Sequence, residues 1–124
     1  MANCLIGYRN WIDAATLSGG GWSTSLPLPN LQNSVVRVPA RSVDADPENT
    51  WFEADLLAAR QVGCVALAGV NLTAAAQLRV RGGSVAGLGS GVVHNGAWAP
   101  AWPIGTTDAV LAEHPWSIVV TLPS

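Results

Sequence analysis

Glycine and proline are spread so densely through this chain that little room is left for a long helix. The sequence contains 13 glycines and 8 prolines among 124 residues, a larger share than globular proteins usually carry. Glycine destabilises a helix interior and proline breaks it, whereas both residues suit turns. The runs between them are short, and several alternate between apolar and polar residues. This spacing predicts short strands joined by turns.

The middle of the chain carries the clearest strand signals. Alternation places Phe52, Ala54 and Leu56 on one face of a strand. Residues 62–70 are apolar on both faces and rich in valine, which predicts a strand covered on both sides rather than a buried helix. Alternation returns at residues 76–81, which Gly82 and Gly83 end, and at residues 117–122. These runs predict an all-β fold, an antiparallel β-sandwich.

The remaining segments read as shorter elements. Two short strands are expected at residues 3–6 and 34–38. Residues 44–49, DADPEN, form a predicted turn, since Asp and Asn bond their own backbone and Pro fixes φ. Residues 84–108 form a predicted long loop with one short strand at 92–93. A chain of 124 residues fits one domain, 1–124.

Composition narrows the classes of function. Hydrophobic residues make up 49% and charged residues 11%, which excludes a disordered chain. All six cations are arginine and the net charge is −2, so we expect no nucleic-acid partner. The longest apolar run is too short for membrane insertion. Cys4 and Cys64 lie among apolar residues and are interpreted as buried free thiols of a chain folded in a reducing cytoplasm.

No residue pattern predicts an enzyme. His94 and His114 are the only histidines, and Glu113 adjoins His114 instead of standing four residues away as in a helical zinc site. No Gly-x-Ser-x-Gly nucleophile motif occurs. Asp44, Asp46 and Asn49 could supply oxygens to a calcium ion, but a solvent-facing turn is the better interpretation. We therefore expect no catalytic residues, no metal and no cofactor.

The tryptophans supply the one candidate binding site. Trp98 and Trp102 lie in a glycine-rich segment with Pro100 and Pro103, and a tryptophan face can stack on a pyranose ring. The polar partners of such a carbohydrate site would be His94, Asn95, and Arg79 or Arg81. The alternative, which the scarcity of other aromatic residues favours, is that both tryptophans anchor the loop or contact another subunit.

Residues 51–81 resemble the core of discoidin-like, galactose-binding-like jelly rolls. The residues that carry the resemblance are Trp51, Asp55, Leu56, Val62, Val65, Leu67, Leu78, Arg79, Val80 and Arg81. The family's usual Asp-Leu-Gly is replaced here by Asp55-Leu56-Leu57. The resemblance implies a jelly roll.

A wider pattern is similar to bacteriophage and prophage tail proteins. It consists of LSGGGWSTSLPLPNLQN, ARSVDADPENTWFEADL, the loop with Trp98 and Trp102, and HPWSIVVTLP, and it spans residues 3–122. It implies a virion component of the tail tip or baseplate that assembles in the host cytoplasm, a group sometimes described as carbohydrate-binding. Relatives continue beyond the last strand, so this chain is expected to be either a short member or a jelly roll that is incomplete at the C-terminus and completed by another segment or subunit.

The expected function follows from composition and resemblance together. So few charges suit a surface that partners cover, and arginine without lysine suits interfaces. We expect a non-enzymatic structural protein in a hetero-oligomeric assembly, whose partners are other phage tail or baseplate subunits. The alternative is a carbohydrate-binding module that recognises a cell-surface glycan.

Overall fold

The computed structural model describes residues 9–33, 38–113 and 116–123. These residues form four two-stranded antiparallel sheets, three short 3-10 helices and one α-helix of four residues. The predicted all-β class is confirmed, since strands dominate and helix is scarce. The chain divides into two compact units, Met1–Arg60 and Gln61–Ser124. The single domain of residues 1–124 stays a prediction.

The first unit is built around one short strand pair. Strand β1, Thr16–Ser18, pairs with β2, Glu53–Asp55, and sets Leu17 opposite Ala54. A 3-10 helix, Trp11–Ala14, precedes β1, and a second, Leu28–Gln32, follows it. Pro27 and Pro29 keep this region out of a sheet, because proline cannot donate to a ladder.

Side chains then fix these pieces to one another. Gln32 donates from Nε2 to the carbonyls of Ile12 and Ala15, at 2.7 and 2.6 Å. Ala15 and Leu28 are the buried apolar residues described in this unit. The Gln32 amide therefore satisfies two carbonyls at the edge of a very small core.

The second unit contains the longest strands. Strand β3, Cys64–Val70, pairs with β8, Trp116–Thr121, and Leu67 lies opposite Ile118. The register shifts between Leu67 and Val70, where Gly69 has a φ of +64°. The prediction that residues 62–70 are covered on both faces is wrong, because no residue of β3 is buried and β8 is its only partner among the described strands.

Between β3 and β8 the chain forms a hairpin with a kink in it. Strand β4, Gln77–Leu78, pairs with β7, Ala99–Pro100. Strand β5, Arg81–Gly83, pairs with β6, Val92–Asn95. Two predictions are corrected here. The strand expected at residues 76–81 is divided in two, and Gly82 and Gly83 lie inside β5 because pairing with β6 outweighs their weak strand preference.

The expected long loop also contains more structure than one short strand. Besides β6 and β7 it holds a 3-10 helix, Ala86–Leu88, and it leads into the helix α1, Asp108–Leu111. The Thr107 hydroxyl accepts from the backbone N–H of Val110 and so caps α1. The strand predicted at residues 92–93 corresponds to part of β6. Sequence patterning missed β7, the 3-10 helix and α1, because each is only two to four residues long.

Some expectations fall on other parts of the chain. The strand predicted at residues 3–6, with Cys4, lies outside the described residues, as do His114 and most of the strand predicted at 34–38. Cys64 is a free thiol and is half-buried. Among the described residues, no helix is long and apolar enough to cross a membrane.

Candidate functional site

The kinked hairpin places four of the six candidate residues on one exposed face. Arg81 lies opposite Asn95 in the β5–β6 pair. The β4–β7 register, continued by one residue, sets Arg79 opposite Trp98. All four side chains are exposed. We call these four residues the arginine–tryptophan face.

A bulge between the two halves of the hairpin brings this face together. Between the β4–β7 pair and the β5–β6 pair, the stretch that links β6 to β7 contains one more residue than the stretch that links β4 to β5. At this point the N–H of Gly96 donates to the carbonyl of Val80 at 3.1 Å. A Cβ at Gly96 would collide with that carbonyl, so the close approach needs glycine. Bulges re-aim the side chains that follow them, and here the residue that follows is Trp98.

Arg79 and Trp98 form the centre of the face. The guanidinium carbon of Arg79 lies 4.9 Å from the centroid of the Trp98 ring, well within cation–π distance. Trp98 nevertheless stays 55% exposed. A guanidinium stacked in this way keeps its in-plane N–H donors available for a carboxylate. The pair can therefore offer an aromatic surface and a directed cation together.

His94 differs from the residues of this face in being less exposed. It is half-buried and lines a cleft of about 340 Å³, whose walls include Leu78, Val80 and Ile118. Strand alternation explains the difference, because His94 and Asn95 are neighbours in β6 and point to opposite sides. The structure thus turns His94 away from Asn95, whereas Arg79 lines the same cleft as His94.

Trp102 is an internal anchor. It is only 8% exposed, and its Nε1–H donates to the carbonyl of Thr73 at 3.0 Å. A buried ring cannot stack on a sugar, so the expected platform of two tryptophan faces is corrected to Trp98 alone. The loop-anchoring alternative describes Trp102.

The turn at residues 44–49 has the predicted conformation. The Asp44 carboxylate accepts from the backbone N–H of Asp46 at 2.9 Å and from the Asn49 amide at 2.8 and 3.0 Å. Its oxygens are thus used to hold the turn. No group of three or more His, Cys, Asp and Glu side chains that could hold a metal occurs among the described residues.

Asp44→Ala is expected to lower the free energy of unfolding by about 1–2 kcal/mol, because two neighbouring donors lose a charged acceptor at a partly solvated site. Asp46→Ala is the matched control, since its carboxylate makes none of these three bonds; it should cost under about 0.5 kcal/mol. Urea denaturation followed by circular dichroism measures both. Equal effects would show that the Asp44 bonds do not stabilise the turn.

A second arginine–tryptophan cluster was not anticipated. The guanidinium carbons of Arg60 and Arg9 lie 4.4 and 5.5 Å from the ring centroid of Trp11. The sequence signal that could have revealed this cluster is the composition. Because the chain contains no lysine, any stack of a cation on an aromatic ring has to use arginine, and tryptophan is the commonest aromatic residue. Trp22 instead packs edge-on against Phe52, with centroids 6.3 Å apart.

Another cleft, of about 410 Å³, lies in the first unit. It is lined by residues 22–26 and 41–43, and Arg41 with the hydroxyls of Ser23, Thr24 and Ser25 make it polar. The Ser23 and Ser25 hydroxyls bond each other at 3.1 Å. The lining of this cleft contains no carboxylate or imidazole, and its polar groups are hydroxyls and one guanidinium.

Comparison of the chain with models of protein families, with curated proteins and with solved structures gives no match. The discoidin-like and tail-protein resemblances therefore stay predictions from the residues quoted above. The site is described by its own geometry, which is an exposed aromatic ring, two arginines and an asparagine on a kinked hairpin.

Proposed function

We propose that this chain is a non-enzymatic structural component of a bacteriophage tail tip or baseplate, and that its fold is a discoidin-like β-sandwich. Protein–protein contacts carry the function. The observation that supports this most strongly is the number of large apolar side chains left in solvent. The resemblance to tail proteins supplies the setting in which such contacts would be made.

Apolar exposure is distributed over both units. Val43, Leu57, Val93, Ile104 and Val119 are all more than half exposed, and Ile104 is fully exposed. Only four described apolar residues are buried. Single exposed apolar residues are ordinary, but a surface with this many and so little charge marks an interaction surface.

Particle fractionation tests the proposal. Tail particles from a culture of the source organism are purified by density gradient, and the chain is detected with an antibody. We expect it to sediment with the particles and to stay with them after washing in high salt. A cytoplasmic enzyme serves as the control for carry-over. Recovery of the chain only in the soluble fractions would overturn the proposal.

A carbohydrate-binding module is the second candidate, and the exposure of Trp98 beside Arg79 is the observation that favours it. On a glycan array, this alternative predicts binding that Trp98→Ala abolishes. Trp51→Ala is the matched control, since Trp51 is likewise about half exposed, at 48%, but lies in the other unit. Our leading proposal expects no glycan to be bound specifically, and binding lost only with Trp98 would favour the alternative.

A further inference from the structure

We propose that the arginine–tryptophan face docks onto the turn of residues 44–49 in a second copy of this chain. The inference rests on the proposed function, because it names one of the subunit contacts. It commits to one occupant, and the argument for that occupant is complementarity of charge and of apolar surface between two separate parts of the same chain.

The charge on the face is unbalanced within its own unit. Arg79 and Arg81 are the only cations among residues 61–124, and both lie on this face. No acidic residue occurs between residues 56 and 107. In that unit the nearest acid in sequence, Asp108, already accepts from the backbone N–H of Ala74 at 2.7 Å. Two guanidinium groups are thus presented together without a nearby acidic neighbour in sequence.

The turn at residues 44–49 carries the opposite charge. Asp46 and Glu48 are exposed, while the Asp44 carboxylate is taken up by bonds inside the turn. Like Arg79 and Arg81, these two acids are separated by a single residue. Arginine pairs with a carboxylate through two parallel N–H···O bonds, so two such pairs could form side by side.

Apolar residues flank both sets of charges. Trp98 and Val93 are exposed on the hairpin, and Trp51 and Val43 are exposed beside the turn. The Nε1–H of Trp51 donates to the carbonyl of Glu48 at 2.9 Å, which fixes this ring next to the acidic residues. Each surface therefore combines an aromatic ring, a valine and two like charges, the pattern of an interface with a charged rim.

The proposed contact determines what assemblies are allowed. Every copy has one face and one turn, and the two differ, so the contact is heterologous. Copies joined in this way form a ring or a filament, unless two copies exchange both contacts and close as a pair. Because opposite charges contribute to the contact, we expect the association to weaken as the salt concentration rises.

Charge reversal tests the contact. Sedimentation velocity of the full chain is compared with that of the double variant Arg79→Glu, Arg81→Glu. We expect self-association to weaken about tenfold or more, since like charges then face each other. The double variant Arg9→Glu, Arg60→Glu is the matched control, because it changes the net charge equally at two arginines that also stack on a tryptophan but belong to neither the face nor the turn. Circular dichroism confirms that each variant is folded.

A second double variant, which reverses the charges on the turn, tests whether the face and the turn contact each other. Asp46→Arg, Glu48→Arg should also fail to associate alone, yet it should associate when mixed with Arg79→Glu, Arg81→Glu, because both contacts regain opposite charges. An equal loss in the matched control, or no recovery in the mixture, would overturn the inference. A wild-type chain that stays monomeric at all concentrations would overturn it too. Particle fractionation is independent of these outcomes, so the proposed function can survive a failure here.

Discussion

Trp102→Ala is expected to lower the free energy of unfolding by about 3–5 kcal/mol, the usual cost of removing a buried large aromatic side chain. Trp102 is 8% exposed, and its indole N–H bonds the Thr73 carbonyl across 29 residues of sequence. The variant loses that link and leaves a cavity in a unit with few other buried side chains. Chemical denaturation followed by circular dichroism measures the loss without relying on tryptophan fluorescence.

Trp98→Ala provides the matched control four residues away. Its ring is 55% exposed and its described partner is the Arg79 guanidinium. An exposed cation–π pair contributes about 0.5–1 kcal/mol, so we expect a loss of about 1 kcal/mol. Similar losses for the two variants would contradict the assignment of Trp102 as an anchor and of Trp98 as a surface residue.

Gly20→Ala is expected to destabilise the first unit by about 2 kcal/mol or more, since a positive φ and a backbone collision are imposed together. Gly20 has a φ of +66°, and a Cβ there would lie 2.7 Å from the Asn49 carbonyl and against the Trp51 carbonyl. Backbone atoms cannot move aside as a flexible side chain can. A melting experiment on the purified variant measures the effect.

Gly63→Ala controls for the loss of a glycine as such. A Cβ at Gly63 meets no atom within 4 Å, and its φ is not in the left-handed region. We expect this variant to be neutral or slightly stabilised, because alanine lowers the entropy of the unfolded chain. A melting temperature that falls equally in both variants would show that the contact of Gly20 with residues 49–51 does not decide stability.

The sequence pattern predicted the class of the fold better than it predicted which strands pair. The density of glycine and proline indicated short strands, and alternation located the strand segments around Ala54 and Ile118. Patterning could not show that Gly82 pairs with His94, because glycine has no strand preference to detect. It also overestimated burial of residues 62–70, since an apolar run is typical both of a covered strand and of one that a partner would cover.

For the candidate site, too, the sequence predicted some features and not others. The residue types were predicted, but Trp98 and Trp102 looked equivalent in sequence, each within two residues of a proline. Their different burial depends on the bulge at Gly96 and on the Thr73 carbonyl, which are long-range features. His94 and Asn95 were grouped by proximity in sequence, whereas alternation along β6 sends them to opposite sides. The turn at residues 44–49 was predictable because its bonds are local.

Hydroxyl-radical footprinting of the chain in purified assemblies and in isolation tests most directly whether partners cover its apolar surface. Trp98 and Trp51 are the reporters, since both rings are exposed and react readily, while buried Trp102 gives the baseline. We expect at least one of the two exposed tryptophans to fall towards that baseline in the assembly. Equal oxidation of both rings, with and without partners, would contradict a function based on protein–protein contacts.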